Sequence, residues 1–132
     1  MGFELIENTC VVAVYKGVVR KLEEIKGSDP KSFKKTLKQL QVLSIGCKFN
    51  KPEQWKPLKS KPCREFDIWE LKPKPFRLAF FKDSCKGKKT FVVFAIWRKK
   101  GNREDNKRIE KVCREAALFI EKWQKFKGEA GC

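Results

Sequence analysis

Four basic side chains carry most of the chemistry this sequence can offer: Arg77, Arg98, Lys99 and Lys72. Arg77 interrupts the apolar run Phe76–Phe81, and Arg98-Lys99-Lys100 closes the run Thr90–Trp97. A guanidinium stays protonated, and its fork of donors matches phosphate geometry, so Arg77 and Arg98 suit stabilisation of a phosphorane. Preorganised cations of this kind contribute roughly 3–4 kcal/mol each. A lysine serves as general base when nearby cations depress its pKa. Lys99, flanked by Arg98 and Lys100, is the first candidate and Lys72 the second. Together they fit attack of a ribose 2′-hydroxyl on its own 3′-phosphate, which needs no metal. Passive phosphate binding is the plain alternative for all four. For Arg77 the alternative is a half-exposed sheet residue that reaches water.

Three runs rich in Phe, Ile, Val and Trp must position these groups: Phe66–Leu71, Phe76–Phe81 and Thr90–Trp97. Lys72-Pro73-Lys74-Pro75 joins the first two, and Asp83-Ser84-Cys85-Lys86-Gly87 joins the last two. Short connections favour antiparallel neighbours, so a three-stranded meander is expected. The third run is apolar on both faces, as in a central strand covered on both sides. Register decides whether Arg77 and Arg98 converge. The expectation is one concave face with Lys99 at its rim.

The chain has 132 residues, 41% of them apolar, which suits one domain with a real core. Lys and Arg total 32 against 16 acids, a formal charge of +16. The excess is segregated: from Lys72 to Lys100 there are ten basic residues and one acid, Asp83. From Lys48 to Arg64 there are six and one, Glu53. Segregation points to a polyanionic partner, most often nucleic acid, with an anionic membrane surface as competitor. The candidate RNA-binding residues are Lys59, Lys61, Arg64, Lys74, Trp97 and Lys100. No apolar run is long enough to cross a bilayer, and no secretory signal is visible. There is no His, and none of the six cysteines forms a C-x-x-C pair. No metal and no other cofactor is therefore expected, and the cysteines read as reduced thiols in a cytoplasmic protein. Cys113 reads as core and Cys132 as a free tail thiol.

The remaining elements follow in order. Thr9–Val14 reads as a first strand. Val18, Val19, Leu22 and Ile25 recur at helical spacing, with Gly27 as the stop. Ser28-Asp29-Pro30 is a strong helix start, with Phe33, Leu37 and Leu40 as the apolar stripe and Gly46 as the end. Lys34, Lys35 and Lys38 lie on the outer side of that helix. Residues 47–63 hold Pro52, Pro57 and Pro62 and read as a loop. Within it, Trp55 reads as a pin to the core, with base stacking as the alternative. Ile109, Val112, Cys113, Ala116, Ile120 and Trp123 mark a long amphipathic helix that Asn102 or Asp105 can cap, with a frayed tail over residues 127–132. The fold class expected is α/β (α+β): a mainly antiparallel four-stranded sheet, two N-terminal helices and a long C-terminal helix.

Trp69-Glu70-Leu71-Lys72, Pro75-Phe76-Arg77-Leu78-Ala79-Phe80-Phe81 and Phe91–Lys100, ending Trp97-Arg98-Lys99-Lys100, together resemble the core signature of the RelE/HigB toxin superfamily, in its phage-derived HigB-like branch. Trp55-Lys56-Pro57-Leu58 resembles that branch's lead into the sheet. The resemblance covers about the last two-thirds of the chain. It implies a toxin of a type II toxin–antitoxin system, a ribosome-dependent mRNA endonuclease in the cytoplasm. The implied partners are mRNA, the ribosome and a helix-turn-helix antitoxin, with no membrane. The chain departs from the branch where Gly101-Asn102-Arg103-Glu104-Asp105 follows the two lysines. It also departs at Lys72, where the strand usually carries Arg, and in having no His and a single tyrosine, Tyr15. The alternatives are a non-catalytic basic module for RNA, DNA or the ribosome, and a gyrase-poisoning toxin of the same fold.

Overall fold

The computed structural model describes residues 2–51 and 53–132. In chain order the elements are β1 (Phe3–Glu7), β2 (Val11–Tyr15), α1 (Lys16–Ser28), α2 (Pro30–Gly46) and β3 (Trp55–Pro57), then α3 (Lys61–Glu65), β4 (Trp69–Leu71), β5 (Phe76–Cys85), β6 (Lys88–Arg98) and α4 (Asn102–Glu129). The strands form one six-stranded mixed sheet in the order β1-β2-β6-β5-β4-β3. All neighbours are antiparallel except β2 and β6, which run parallel with Val11 opposite Thr90. A parallel pair needs a long crossover, and here it begins with α1 and α2.

This sheet overturns the expected mainly antiparallel four-stranded one. Two extra strands, β1 and β3, form its edges, and the β2–β6 pair is parallel. The expected loop over residues 47–63 also contains regular structure. Pro57 sits in the edge strand β3, where a missing donor is tolerated, and Pro62 sits in the first turn of α3, where no donor is needed. Pro52 lies outside the described residues.

Strand alternation divides the apolar residues into two cores. Val12, Val14, Phe76, Leu78, Phe80, Phe91, Val93 and Ile96 face α1 and α2, which contribute Val18, Leu22, Ile25, Leu40 and Leu43. Ala13, Ala79, Phe81, Val92, Phe94 and Trp97 face α4, which contributes Val112, Cys113, Ala116, Trp123 and Phe126. β6, apolar on both sides, lies between β2 and β5. A register shift beside Ala79 and Phe80 puts both Phe94 and Ala95 on the α4 side.

Asp29 starts α2 as its sequence implies. It accepts hydrogen bonds from the Ser32 backbone N–H (3.2 Å) and hydroxyl (2.6 Å), with Pro30 in the first turn. The helix ends on Cys47 at φ 64°, a left-handed position that usually falls to glycine. The expected side-chain cap of α4 does not form: Gly101 is its N-cap, and Asp105 bonds elsewhere.

The six cysteines are paired, which corrects the reading of reduced thiols. Cys10–Cys47 joins the approach to β2 to the end of α2, with Cα atoms 5.7 Å apart. Cys63–Cys113 joins α3 to α4 (4.9 Å), and Cys85–Cys132 joins the end of β5 to the chain terminus (4.7 Å). Cys132 is thus no free thiol, and α4 runs on to Glu129 where fraying was expected. Partners lie 37, 50 and 47 residues apart, so spacing gave no hint of pairing.

Candidate nucleic-acid interface

Arg77 sits opposite Trp97 in the β5–β6 ladder, and Arg98 sits opposite Phe76. Cross-strand partners share a face, so Arg77 points toward α4 and Arg98 toward α1 and α2. The expected convergence of the two guanidiniums on one face is therefore wrong. Arg98 stacks on Phe76, with its guanidinium carbon 5.7 Å from the ring centre. With Lys100 it lines a cleft of about 640 Å³ between α1 and the start of α4, where Lys21 and Arg108 alternate with Glu24 and Glu104.

Arg77 is not on an open face either. It is only 6% exposed, and its Nη1 donates to the Phe76 carbonyl at 3.1 Å. Trp97, a candidate RNA-binding residue by sequence, is 5% exposed and donates from Nε1 to Asp105 Oδ1 at 2.8 Å. That bond ties the first turn of α4 to β6 and encloses the sheet end.

What the fold does assemble is a polar cluster on the α4 side of β3, β4, β5 and β6. Glu70 sits opposite Ala79 on one side and Lys56 on the other, which puts its carboxylate on the face that carries Arg77. It is 2% exposed. Lys56 Nζ lies 3.6 Å from Glu70 Oε1, while Glu70 Oε2 has no hydrogen-bond partner. Burial raises the Glu70 carboxyl above its ordinary range; Lys56 and Arg77 oppose the rise, and Asp105 adds to it. Lys72, two residues along, lies in the same field. Its backbone N–H donates to the Gln54 carbonyl, which fastens it to the β3 side. Burial lowers its ammonium pKa from the ordinary lysine value, and Lys56, Arg77 and Lys99 lower it further against the pull of Glu70.

Of the residues anticipated from sequence, Arg77, Lys72 and Lys99 thus come together, and Arg98 and Lys100 lie apart. Lys59 lines a groove of about 420 Å³ with Lys56, Ser60, Asn106 and Glu110. That groove opens beside the cluster through their shared Lys56. Lys61 and Arg64 are exposed on α3, and Lys74 is exposed in the turn after β4. Sequence reasoning reads Lys56 only as one of the loop lysines around Trp55 that can clamp a nucleic-acid backbone, and it missed Glu70 and Asp105 as members of the site. An acid between Trp69 and Leu71 in a strand was the available signal, since a charge inside a short apolar run demands a partner. A carboxyl whose pKa is raised and an amine whose pKa is lowered lie closer in proton affinity than the free groups do, with cations at hand for a phosphate.

Among the described residues, no helix is long and apolar enough to cross a membrane, and no group of three or more His, Cys, Asp or Glu side chains is placed to hold a metal ion. The chain is 37% identical over 120 residues to an uncharacterized protein of Aquifex aeolicus (strain VF5), a match that spans 89% of this chain and 84% of that one. The two belong to one protein family. No protein-family model and no solved structure matches the chain.

Proposed function

We propose that this chain is a toxin of RelE/HigB type, an endoribonuclease that cuts mRNA on the ribosome and is neutralised by a small helix-turn-helix antitoxin. The observation that carries the reading is the environment of Lys72. Burial and three neighbouring cations, Lys56, Arg77 and Lys99, hold its ammonium below the ordinary lysine range. Neutral Lys72 removes the 2′-hydroxyl proton, and the oxygen attacks the adjacent phosphorus. Lys56, Lys99 and the field of enclosed Arg77 stabilise the phosphorane. The 5′-oxygen leaves with a proton from a lysine ammonium, giving a 2′,3′-cyclic phosphate and a 5′-hydroxyl. Lys72 replaces Lys99 as the preferred base, because burial bears on Lys72 directly.

One observation favours a second reading, a basic module that binds RNA or the ribosome without cutting. Arg77 is enclosed and Arg98 faces the other way, so these two guanidiniums do not meet on one phosphate. Inducing the chain in a bacterium and mapping mRNA ends separates the two. The toxin reading expects new 5′-hydroxyl ends with the parent and with Lys34→Ala, on the exposed side of α2, and none with Lys72→Ala. Robust ribosome binding with intact mRNA selects the module. An adjacent small reading frame with a helix-turn-helix pattern, whose product rescues growth, supports the antitoxin partner.

An mRNA target places the chain in the cytoplasm. Three disulfides persist there in thermophiles, whose intracellular proteins can be rich in them, and not in a glutathione-buffered cytosol.

A further inference from the structure

The face of the sheet opposite Arg77 is covered unevenly. α1 and α2 pack against β1, β2 and β6. At β3 the Phe49 ring meets Trp55 edge-on at 5.8 Å. Trp55 and Trp69 are cross-strand neighbours on this side, both half-buried, with ring centres 5.2 Å apart. Trp55 lies nearly parallel to Phe80 beneath it, at 15°. Trp69 is fixed at its edge by a 2.8 Å bond from Nε1 to Asp67 Oδ1. Lys82 Nζ stands 4.1 Å from the centre of the Trp69 ring, and Lys89 Nζ stands 5.3 Å from that of Phe91 on the same face.

We propose that Trp69, backed by Trp55 and flanked by Lys82 and Lys89, is a stacking subsite for an unpaired RNA base, one strand edge away from the Lys72–Arg77 cluster. Three features support it. A Trp held by a hydrogen bond at its edge is a rigid plane that loses little entropy when a base stacks on it. A lysine poised over that plane can swing to the phosphate of the stacked nucleotide, so charge and ring surface are offered together. Lastly, Trp55 and Lys56 are adjacent in the edge strand β3 and face opposite sides of the sheet. A single strand bent over that edge would set one base on Trp69 and the next phosphates against Lys56. A double helix could not follow so tight a path. Asp67 opposes the anion locally and confines the attractive charge to the Lys82 side.

The subsite rests on the RNA-directed reading above, and the test keeps the two apart. Binding of a labelled RNA hexamer is measured by anisotropy for the parent, Trp69→Leu, Trp69→Tyr and Lys82→Met, each checked for an unchanged thermal melt. A hexamer of equal charge with abasic residues is the probe for stacking. The expected result is about a ten-fold loss of hexamer affinity in Trp69→Leu, most of it restored in Trp69→Tyr. The abasic strand should bind the parent and Trp69→Leu alike. Equal affinity of parent and Trp69→Leu for the base-bearing hexamer overturns the subsite, as does an equal loss on the abasic strand. If the parent cuts mRNA while Trp69→Leu binds normally, the toxin reading stands and the subsite falls. If Trp69 governs binding and mRNA stays intact, the subsite stands and the nuclease reading falls. A parent that binds neither strand removes both.

Discussion

Arg77 and Arg98 occupy adjacent rungs of the β5–β6 ladder and face opposite sides of the sheet, the first opposite Trp97 and the second opposite Phe76. Their divergence moves the weight of any phosphate chemistry from the arginines to the lysines around Glu70.

Lys72→Ala should reduce RNA cleavage by at least about a hundred-fold if Lys72 is the base. The rate in the parent should climb with pH and level off at the lowered Lys72 pKa, below the ordinary lysine value of 10.5. Lys72→Ala should lose that rising limb. Single-turnover cleavage across neutral and alkaline pH is the measurement. A limb that survives in Lys72→Ala assigns the base elsewhere.

Glu70 should leave a signature in stability. Its folded pKa is raised above 4.5 by burial, against the opposing pull of Lys56 and Arg77. The folded state then binds more protons than the unfolded one above pH 4.5. Its contribution is fully present below that value and is lost as pH rises through the folded pKa. Glu70→Gln mimics the protonated form and should match the parent near pH 4 but exceed it at pH 8. Urea midpoints at both values test this, and a difference independent of pH would count against a buried, reluctant carboxylate.

Cys63–Cys113 closes a 50-residue separation between α3 and α4. Loop-closure entropy gives about 4 kcal/mol for such a bridge. The double variant Cys63→Ser, Cys113→Ser should lose roughly 2–5 kcal/mol in denaturant unfolding. Thiol titration of the unfolded, unreduced parent should find no free thiol. Reactive thiols in the native preparation would refute the pairing.

Affinity for RNA or ribosomes should fall steeply with salt, because ten cations and one acid lie between Lys72 and Lys100. Each phosphate contact contributes a slope of about −0.7 in log K against log salt for a single strand. Filter binding from low to physiological salt measures it. A flat profile rules out a phosphate-dominated contact.

The β5–β6 hairpin was legible because its runs are long, β-branched and aromatic. The expected first strand, Phe66–Leu71, however, shrinks to Trp69–Leu71 after Phe66 ends α3, and Asp83–Cys85, expected in a turn, continue β5. Asp29 was legible because capping is a local event between neighbours in sequence. The edge strands were not. β1 carries two glutamates in five residues, and β3 has three residues ending in proline; only pairing with β2 and β4 makes either a strand. The two arginines could be placed on strands but not relative to each other, since facing depends on a register that distant residues set. Trp97 looked available because nothing local revealed that the first turn of α4 folds back onto it through Asp105.

The parallel pairing of β2 with β6 also bears on the order in which the chain can be completed as it is made. Val11 and Val14 find their ladder partners only at Thr90 and Val93. The N-terminal hairpin therefore leaves the ribosome with its inner edge bare. It stays so until more than two-thirds of the chain has been translated. The Lys72–Arg77 cluster comes later still, because Lys99 and Asp105 follow β6. A nascent chain of this kind cannot assemble its basic centre while still short enough to remain largely inside the exit tunnel of the ribosome that makes it.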